Sequence, residues 1–332
     1  MEDVSKICGL YPFKYILNKY GYNFSEELLM VRLHLFGFQF GYIHDGRLEE
    51  ERVNRADDIS IVGLLPYSEK NINNLTGVRF YSRYFSNKNL AIAELRRCLK
   101  DSSPIIVFLD VFELSYHPLY RTNHGQNIIM VHNYDEITMR FEIEDNHVPT
   151  MPLSCYKGWI TEQELTYGLL IDNPTQSQNT GLILYKYNEH WGNNEPPELA
   201  ECIRKNLLLY KESGRRNRGI AGLINLEREF REIFMKYHAA EIMPMMKSIY
   251  LHLTGRAGLV MSRKCLGSLI KHEAGIENNY SEVSKLWQEF AGIIFRISME
   301  CKETHIEKAV YKLNQLVEAE RWEVDTCINK LN

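Results

Sequence analysis

The feature that most constrains this chain is a change in hydrophobic periodicity near Pro196 and Pro197. Before it, between about Pro104 and Tyr187, short apolar runs alternate with turn residues, a pattern typical of β-strands. After it, apolar residues recur at helical spacing, as from Ile220 to Tyr237 and from Leu286 to Ile297. Strands followed by helices predict an α+β fold, with one domain over 1–190 and an all-helical domain over 191–332.

Composition narrows the class of protein. With 332 residues, 45% of them apolar, the chain is long enough for one large or two medium domains with real cores. A net charge of -4 predicts no nucleic-acid partner. No apolar run approaches the roughly 20 residues that span a bilayer, and the opening MEDVSKICGL lacks a basic and apolar leader. We therefore expect a soluble, cytoplasmic protein with no membrane partner.

The seven cysteines favour a reducing compartment, because their number is odd and no C-x-x-C pair occurs among them. No histidine stands at ligand spacing from any of them, so the sequence predicts neither a metal site nor a bound cofactor. Six of them read as core or helix residues. The seventh, Cys8, differs because it stands just before a predicted helix.

Cys8 is the candidate nucleophile. Pro12 suits the first turn of a helix, and an apolar face extends from Phe13 to Tyr20. A thiol just before a helix gains from unpaired backbone N–H groups and the positive end of the helix dipole, which favour thiolate over thiol. The alternative is a buried cysteine that acts as a small hydrophobe.

His124 and Asp145 are the candidate base and orienting carboxylate. His124 precedes the apolar run Ile128 to Val131, and Asp145 closes the alternating run that begins at Met139. If these runs pair as a hairpin, the carboxylate should reach the imidazole and fix its tautomer while the other ring nitrogen faces the thiol. Two alternatives stay open, since Asp145 also suits an ordinary turn and two other histidines compete for the role of base, His132 and His147.

An ordered set of segments carries a resemblance to a known family. It comprises Cys8, Gly21 with Ser25-Glu26-Glu27, Phe36 to Tyr42, Val107 to Pro118, and His124 to Glu136. In this order the segments resemble the N-terminal domain of the butirosin biosynthesis protein H family. The helical half resembles that family's usual C-terminal partner, in Gly255 to Gly258, Arg263 and the Trp287 helix.

The resemblance implies a papain-like, C39-peptidase-like cysteine domain that transfers acyl groups in antibiotic-type secondary metabolism. The acyl or aminoacyl group would come from the phosphopantetheine thioester of an acyl or peptidyl carrier protein and pass to a small-molecule amine. Carried onto this chain, Cys8 would be the nucleophile, His124 the general base and Asp145 the orienting carboxylate. This sequence departs from the family's pattern at the expected oxyanion hole. No glutamine stands clearly ahead of Cys8, and two acidic residues, Glu2 and Asp3, occupy that region.

Two further functions fit the same residues. A thioesterase or peptidase of this fold would use water as the acceptor, and a noncatalytic binding protein would keep the fold with an inert Cys8. The helical domain is expected to form one side of the acceptor pocket. Arg256 and Arg263 are either contacts to the acceptor or ordinary structural arginines. The cluster Arg215 to Arg218 is either a dock for an acidic carrier protein or a solvated loop.

Overall fold

The computed structural model describes residues 9–44, 47–49, 58–64, 73, 76–101, 104–122, 124, 126–148, 154–170, 182–187, 198–212, 214–255 and 258–332. Three predicted features lie outside the described residues: Cys8, Arg256 and the Pro196-Pro197 boundary. In chain order the elements are α1 (Tyr11–Lys19), α2 (Glu26–Arg32), β1 (Phe36–His44), β2 (Arg47–Glu49), β3 (Asp58–Leu64), β4 (Val78–Arg83), α3 (Lys88–Leu99), β5 (Ile105–Asp110), β6 (Gln126–Asp135), β7 (Arg140–Val148), β8 (Ser154–Thr161), α4 (Glu162–Gly168), β9 (Leu182–Tyr187), α5 (Leu199–Lys211), α6 (Gly219–Lys236), α7 (Ala239–Thr254), α8 (Leu259–Glu273), α9 (Tyr280–Met299) and α10 (Glu303–Leu331).

The chain divides into two compact units. One comprises Met1–Glu26 with Ser68–Pro196, and the other Glu27–Tyr67 with Pro197–Asn332. The fold is α+β, as predicted. The sequence predicts one division at residue 190, whereas in the structure 27–67 groups with the C-terminal helices. None of the helices in the described ranges is long and apolar enough to cross a membrane.

An antiparallel sheet of six strands, in the order β4-β9-β5-β6-β7-β8, forms the centre of the first unit. The two apolar runs that begin at Ile128 and Met139 form strands, as predicted, and are β6 and β7. Strands β6 and β7 form the predicted hairpin, with Asp135 opposite Arg140 at its closed end.

The two faces of this sheet carry different side chains, because successive strand residues point to opposite sides. One face packs on α3 through a core that includes Leu109, Ile129, Val131 and Ile143. The opposite face receives α1: the Tyr11 hydroxyl bonds to Glu144, and the ring of Tyr15 contacts that of His132. A side chain in β5, β6 or β7 can thus be assigned to the α1 face or the α3 face by its position.

The second unit places a three-stranded sheet, in the order β2-β1-β3, with the helices of the C-terminal half. The alternating residues Phe36, Phe38 and Phe40 of β1 are fully buried against those helices. Phe36 packs edge-on to Tyr210 at 5.2 Å between ring centroids, and Phe38 stacks on Trp287 at 6.3 Å. Within the described residues from 198 onward, the regular elements are all helices, in agreement with the sequence prediction.

Candidate active site

His124 is held by Asp110, which ends strand β5. The imidazole Nδ1 lies 2.7 Å from Asp110 Oδ2, and the ring stacks on Phe112 with centroids 4.3 Å apart. Because an ionised carboxylate only accepts hydrogen bonds, Nδ1 must carry the hydrogen, and Nε2 is the basic atom of the neutral ring. Nε2 makes no hydrogen bond within the described part of the chain, and the side chain is 75% exposed.

Asp145 does not make the predicted bond to His124. Its Oδ2 accepts from the Tyr116 hydroxyl at 2.9 Å and from Asn127 Nδ2 at 2.6 Å, and its Oδ1 accepts from the backbone N–H of His147 at 2.8 Å. The reason is the length of β7, which continues to Val148, so that Asp145 lies inside the strand and is fully buried. Burial, and next the negative charge of Asp145, raise the pKa of Tyr116 well above its ordinary value, which keeps this hydroxyl a donor.

Strand parity separates the two carboxylates. Asp145 has the parity of Ile143 and so lies on the α3 face. Leu109 belongs to the core on the α3 face. Asp110 is the next residue of the same strand and therefore points to the opposite face, on which α1 lies. The carboxylate that binds His124 is thus on the same face as the helix that follows Cys8, whereas the predicted carboxylate is on the other.

The first turn of α1 lies over a small pocket at this same end of the sheet. Gly9, the residue after Cys8 in the sequence, lines the pocket with side chains of β6 and β7, including Ile128, Asn146 and His147. Gly9 has a φ of 84°, a left-handed conformation that side chains rarely adopt, so a glycine is required where the chain enters α1. Of the two rival histidines, His147 is therefore beside the start of α1.

His132, the other rival, belongs to a cluster that ties α1 to the sheet. Its Nε2 lies 3.1 Å from Glu144 Oε2, and Glu144 Oε1 accepts from the Tyr11 hydroxyl at 3.1 Å and from Lys157 Nζ at 3.3 Å. Burial alone would raise the pKa of Glu144, but the hydrogen bond from His132 and the charge of Lys157 outweigh it and lower that pKa. The cluster holds the helix that follows Cys8 in place.

Glu144→Gln should be less stable than the wild type at pH 7, because the amide loses the charge-assisted bonds from His132 and Lys157. The folded pKa of Glu144 is lowered, so its charge stabilises the fold above the unfolded pKa and this contribution disappears as the pH falls through the folded pKa. Urea unfolding at pH 7 and below pH ~4 gives the free energy of unfolding of the wild type and of Glu144→Gln. Glu142→Gln, two residues away on β7, is the matched control, and a stability difference that does not shrink in acid would contradict this role of Glu144.

Two arginine sites that the sequence singled out, Arg263 and the loop Arg215 to Arg218, lie in the second unit. Arg263 is fully buried, donating to Glu320 and to the backbone oxygen of Gly37 at 2.7 Å each, so it is a structural arginine and not a substrate contact. The loop Arg215 to Arg218 is anchored by Asn217, whose backbone oxygen accepts from the N–H of Phe40. Arg215 and Arg216 are exposed, and Arg216 pairs with Glu229 at 3.3 Å.

Sequence reasoning missed Asp110, Asn127 and Tyr116 as members of this region. A signal for Asp110 was present, since an acidic residue stands directly after the apolar run Ile105 to Leu109. In the structure Asp110 lies opposite Gln126, two residues after His124. No comparable signal marks Asn127 or Tyr116. In the part of the chain that the structure describes, no group of three or more His, Cys, Asp or Glu side chains is arranged to hold a metal ion.

The comparison with protein families agrees with the resemblance drawn from the ordered segments. Residues 8–146 match the family model for butirosin biosynthesis protein H, N-terminal. No curated protein matches the chain. The matched range begins at Cys8 and includes Asp110, His124 and Asp145. Residues 8–146 of this chain are therefore similar to the N-terminal domain of butirosin biosynthesis protein H, and the match supports a family related to that protein.

Proposed function

We propose that this protein is a biosynthetic enzyme, a cysteine-dependent acyltransferase of antibiotic-type metabolism with a papain-like N-terminal domain. Cys8 takes an acyl or aminoacyl group from the phosphopantetheine thioester of a carrier protein and passes it to a small-molecule amine. His124 is the general base. Asp110 replaces Asp145 as the carboxylate that orients it.

The observation that carries this proposal is the Asp110–His124 pair. The pair is arranged like the histidine and carboxylate that activate a catalytic nucleophile. Nδ1 is held by a carboxylate at 2.7 Å, and Nε2 is directed away from that carboxylate. By strand parity Asp110 lies on the α1 face, and β6 begins two residues after His124 and leads directly to Ile128, which lines the pocket beside Gly9. The pair and the start of α1 are therefore at one end and on one face of the sheet.

The chemistry proceeds in two balanced steps. His124 Nε2 takes the proton of the Cys8 thiol, the Cys8 thiolate attacks the carbonyl of the carrier thioester, and the carbon–sulfur bond to phosphopantetheine breaks. His124 returns that proton to the leaving sulfur, so an acyl-Cys8 thioester and a free carrier thiol result. The acceptor amine then attacks that thioester while His124 Nε2 takes its proton, and the proton passes to the Cys8 sulfur as it leaves. No bound cofactor takes part in either step.

Transfer to an amine requires that water be a poor competitor. Holding the amine in attack geometry is worth about 7–11 kcal/mol of the barrier in well-oriented systems, so positioning alone is sufficient to favour transfer over hydrolysis. The exposed Arg215 and Arg216 are the proposed contacts for an acidic carrier protein.

A second candidate function is noncatalytic binding, and one observation favours it. The buried carboxylate Asp145 is satisfied by Asn127 and Tyr116, groups that do not act as bases near neutral pH, so this part of the site stabilises the fold without supporting proton transfer. In that case Cys8 would be inert toward thioesters.

Two carboxamide variants distinguish the roles of the carboxylates. Asp110→Asn should lower kcat by about two to four orders of magnitude with little change in KM, because the amide misorients the base, while the urea midpoint changes little. Asp145→Asn should lower the free energy of unfolding by about 1–3 kcal/mol, since an NH₂ donor replaces one of two buried acceptor oxygens that face the donors Tyr116, Asn127 and the N–H of His147. Its kcat should stay within about tenfold of the wild type.

The reverse pattern, a large kcat loss in Asp145→Asn alone, would return the orienting role to Asp145. His147→Ala is measured beside His124→Ala, because His147 lines the pocket with Gly9. Activity that survives His124→Ala and disappears in His147→Ala would overturn the choice of base.

A further inference from the structure

A groove on the second unit lies between the end of α6 and the start of α10. Its volume is about 700 Å³. The floor is apolar and half-buried, formed by Phe234, Ile306 and Val310. Two large apolar side chains stand at its edges, Met235 at 77% and Tyr311 at 65% exposure. This much exposed apolar surface around one concavity is typical of a binding site.

The residues that line the groove carry a net negative charge. Two of its lining residues, Glu303 and Glu307, are exposed carboxylates one helical turn apart on α10, and neither is in an ion pair within the described residues. The lining cation, Arg231, is already paired, with its Nε 2.6 Å from Glu227 Oε1. The groove therefore offers two uncompensated negative charges beside an apolar floor.

The size of the groove selects the kind of occupant. Its volume falls within the range of about 300–1,000 Å³ that is typical of small-molecule sites. Nine described residues line it, far fewer than the roughly 20–30 per side of a stable protein interface. A small molecule fits these dimensions better than a protein partner does.

We infer that this groove binds a cationic amphiphile, a primary amine attached to an apolar body. The ammonium group lies between Glu303 and Glu307, and the apolar body lies on Phe234, Ile306 and Val310. This site is independent of the acyl transfer at Cys8, and a loss of acyl transfer would leave it unchanged.

Binding is tested on the full chain by isothermal titration calorimetry at pH 7.5, with n-octylamine as the probe and octanoate as the chain of opposite charge. Octylamine should bind at least tenfold more tightly than octanoate. The double variant Glu303→Gln/Glu307→Gln should weaken octylamine binding at least tenfold, and Val310→Trp should weaken both probes by filling the floor.

Glu282→Gln and Leu251→Trp are the matched controls, since they change an exposed carboxylate and an exposed apolar residue outside the groove, and both should leave binding unchanged. Equal affinity for the two probes, octylamine binding that the double variant leaves intact, or no octylamine binding at all would overturn the inference. Binding of a basic amphipathic peptide in place of octylamine would likewise overturn it in favour of a protein partner.

Discussion

Replacing Arg263 by alanine is expected to lower the free energy of unfolding by about 3–5 kcal/mol, because it leaves the fully buried carboxylate of Glu320 without its cation. Arg263 Nε donates to Glu320 Oε1 at 2.7 Å, and Trp287 Nε1 donates to the same oxygen at 2.7 Å. Burial by itself opposes the charge on Arg263, but the Glu320 carboxylate outweighs it and raises the arginine pKa. The pair is therefore ionic inside the second unit.

The effect is large because Arg263 connects several elements of that unit. Besides Glu320 of α10, its guanidinium reaches the carbonyl of Gly37 in β1 at 2.7 Å and the hydroxyl of Tyr210 in α5 at 2.9 Å. It also lies over the ring of Phe36, 4.6 Å from the centroid. One substitution thus removes partners from a strand and two helices.

Urea unfolding at pH 7 measures the loss, with Arg204→Ala as the control. Arg204 pairs with Glu201 on the surface of α5, and such a pair contributes about 1 kcal/mol or less. If Arg263→Ala does not fold, Tyr210→Phe removes a single bond to the guanidinium and should cost about 1–3 kcal/mol. Equal losses in Arg263→Ala and Arg204→Ala would contradict the assigned role.

The second large effect concerns Cys8. Cys8→Ala should lower acyl transfer by on the order of 10⁴-fold or more, because the covalent intermediate disappears, and His124→Ala should lower it by about 10²–10⁴-fold. Three of the other cysteines have a disfavoured thiolate. Burial raises the pKa of Cys202 and of Cys301, and burial together with Glu323 raises that of Cys327 to about 12.

The hairpin of the candidate site was predictable from local pattern, and the partner of His124 was not. Alternating apolar residues identify β6 and β7 because each strand buries one face against α3. Which carboxylate reaches His124 depends on where β7 ends, and three further residues of strand after Asp145 are enough to bury it inside the sheet. Asp145 and Asn146 are both typical turn residues, so the local sequence predicts the end of the strand too early.

The division into two units could not be predicted for a related reason. Phe36, Phe38 and Phe40 alternate as strand residues do, but local pattern does not show which helices they pack against. Their partners include Tyr210 and Trp287, more than 170 residues further along the chain. Arg263 is a similar case, since an arginine is usually exposed and its partner Glu320 lies 57 residues away.

The proposed function depends above all on whether Cys8 carries an acyl group. Intact-protein mass spectrometry tests this after the full chain is mixed with an acyl N-acetylcysteamine thioester and, separately, with an acylated carrier protein. We expect one added acyl group in place of the thiol hydrogen, located on Cys8 by peptide mapping, retained in Cys155→Ala and removed by an added amine. The absence of any adduct from either donor, or an equal adduct on Cys8→Ala, would contradict acyl transfer through Cys8 and favour the noncatalytic binding protein.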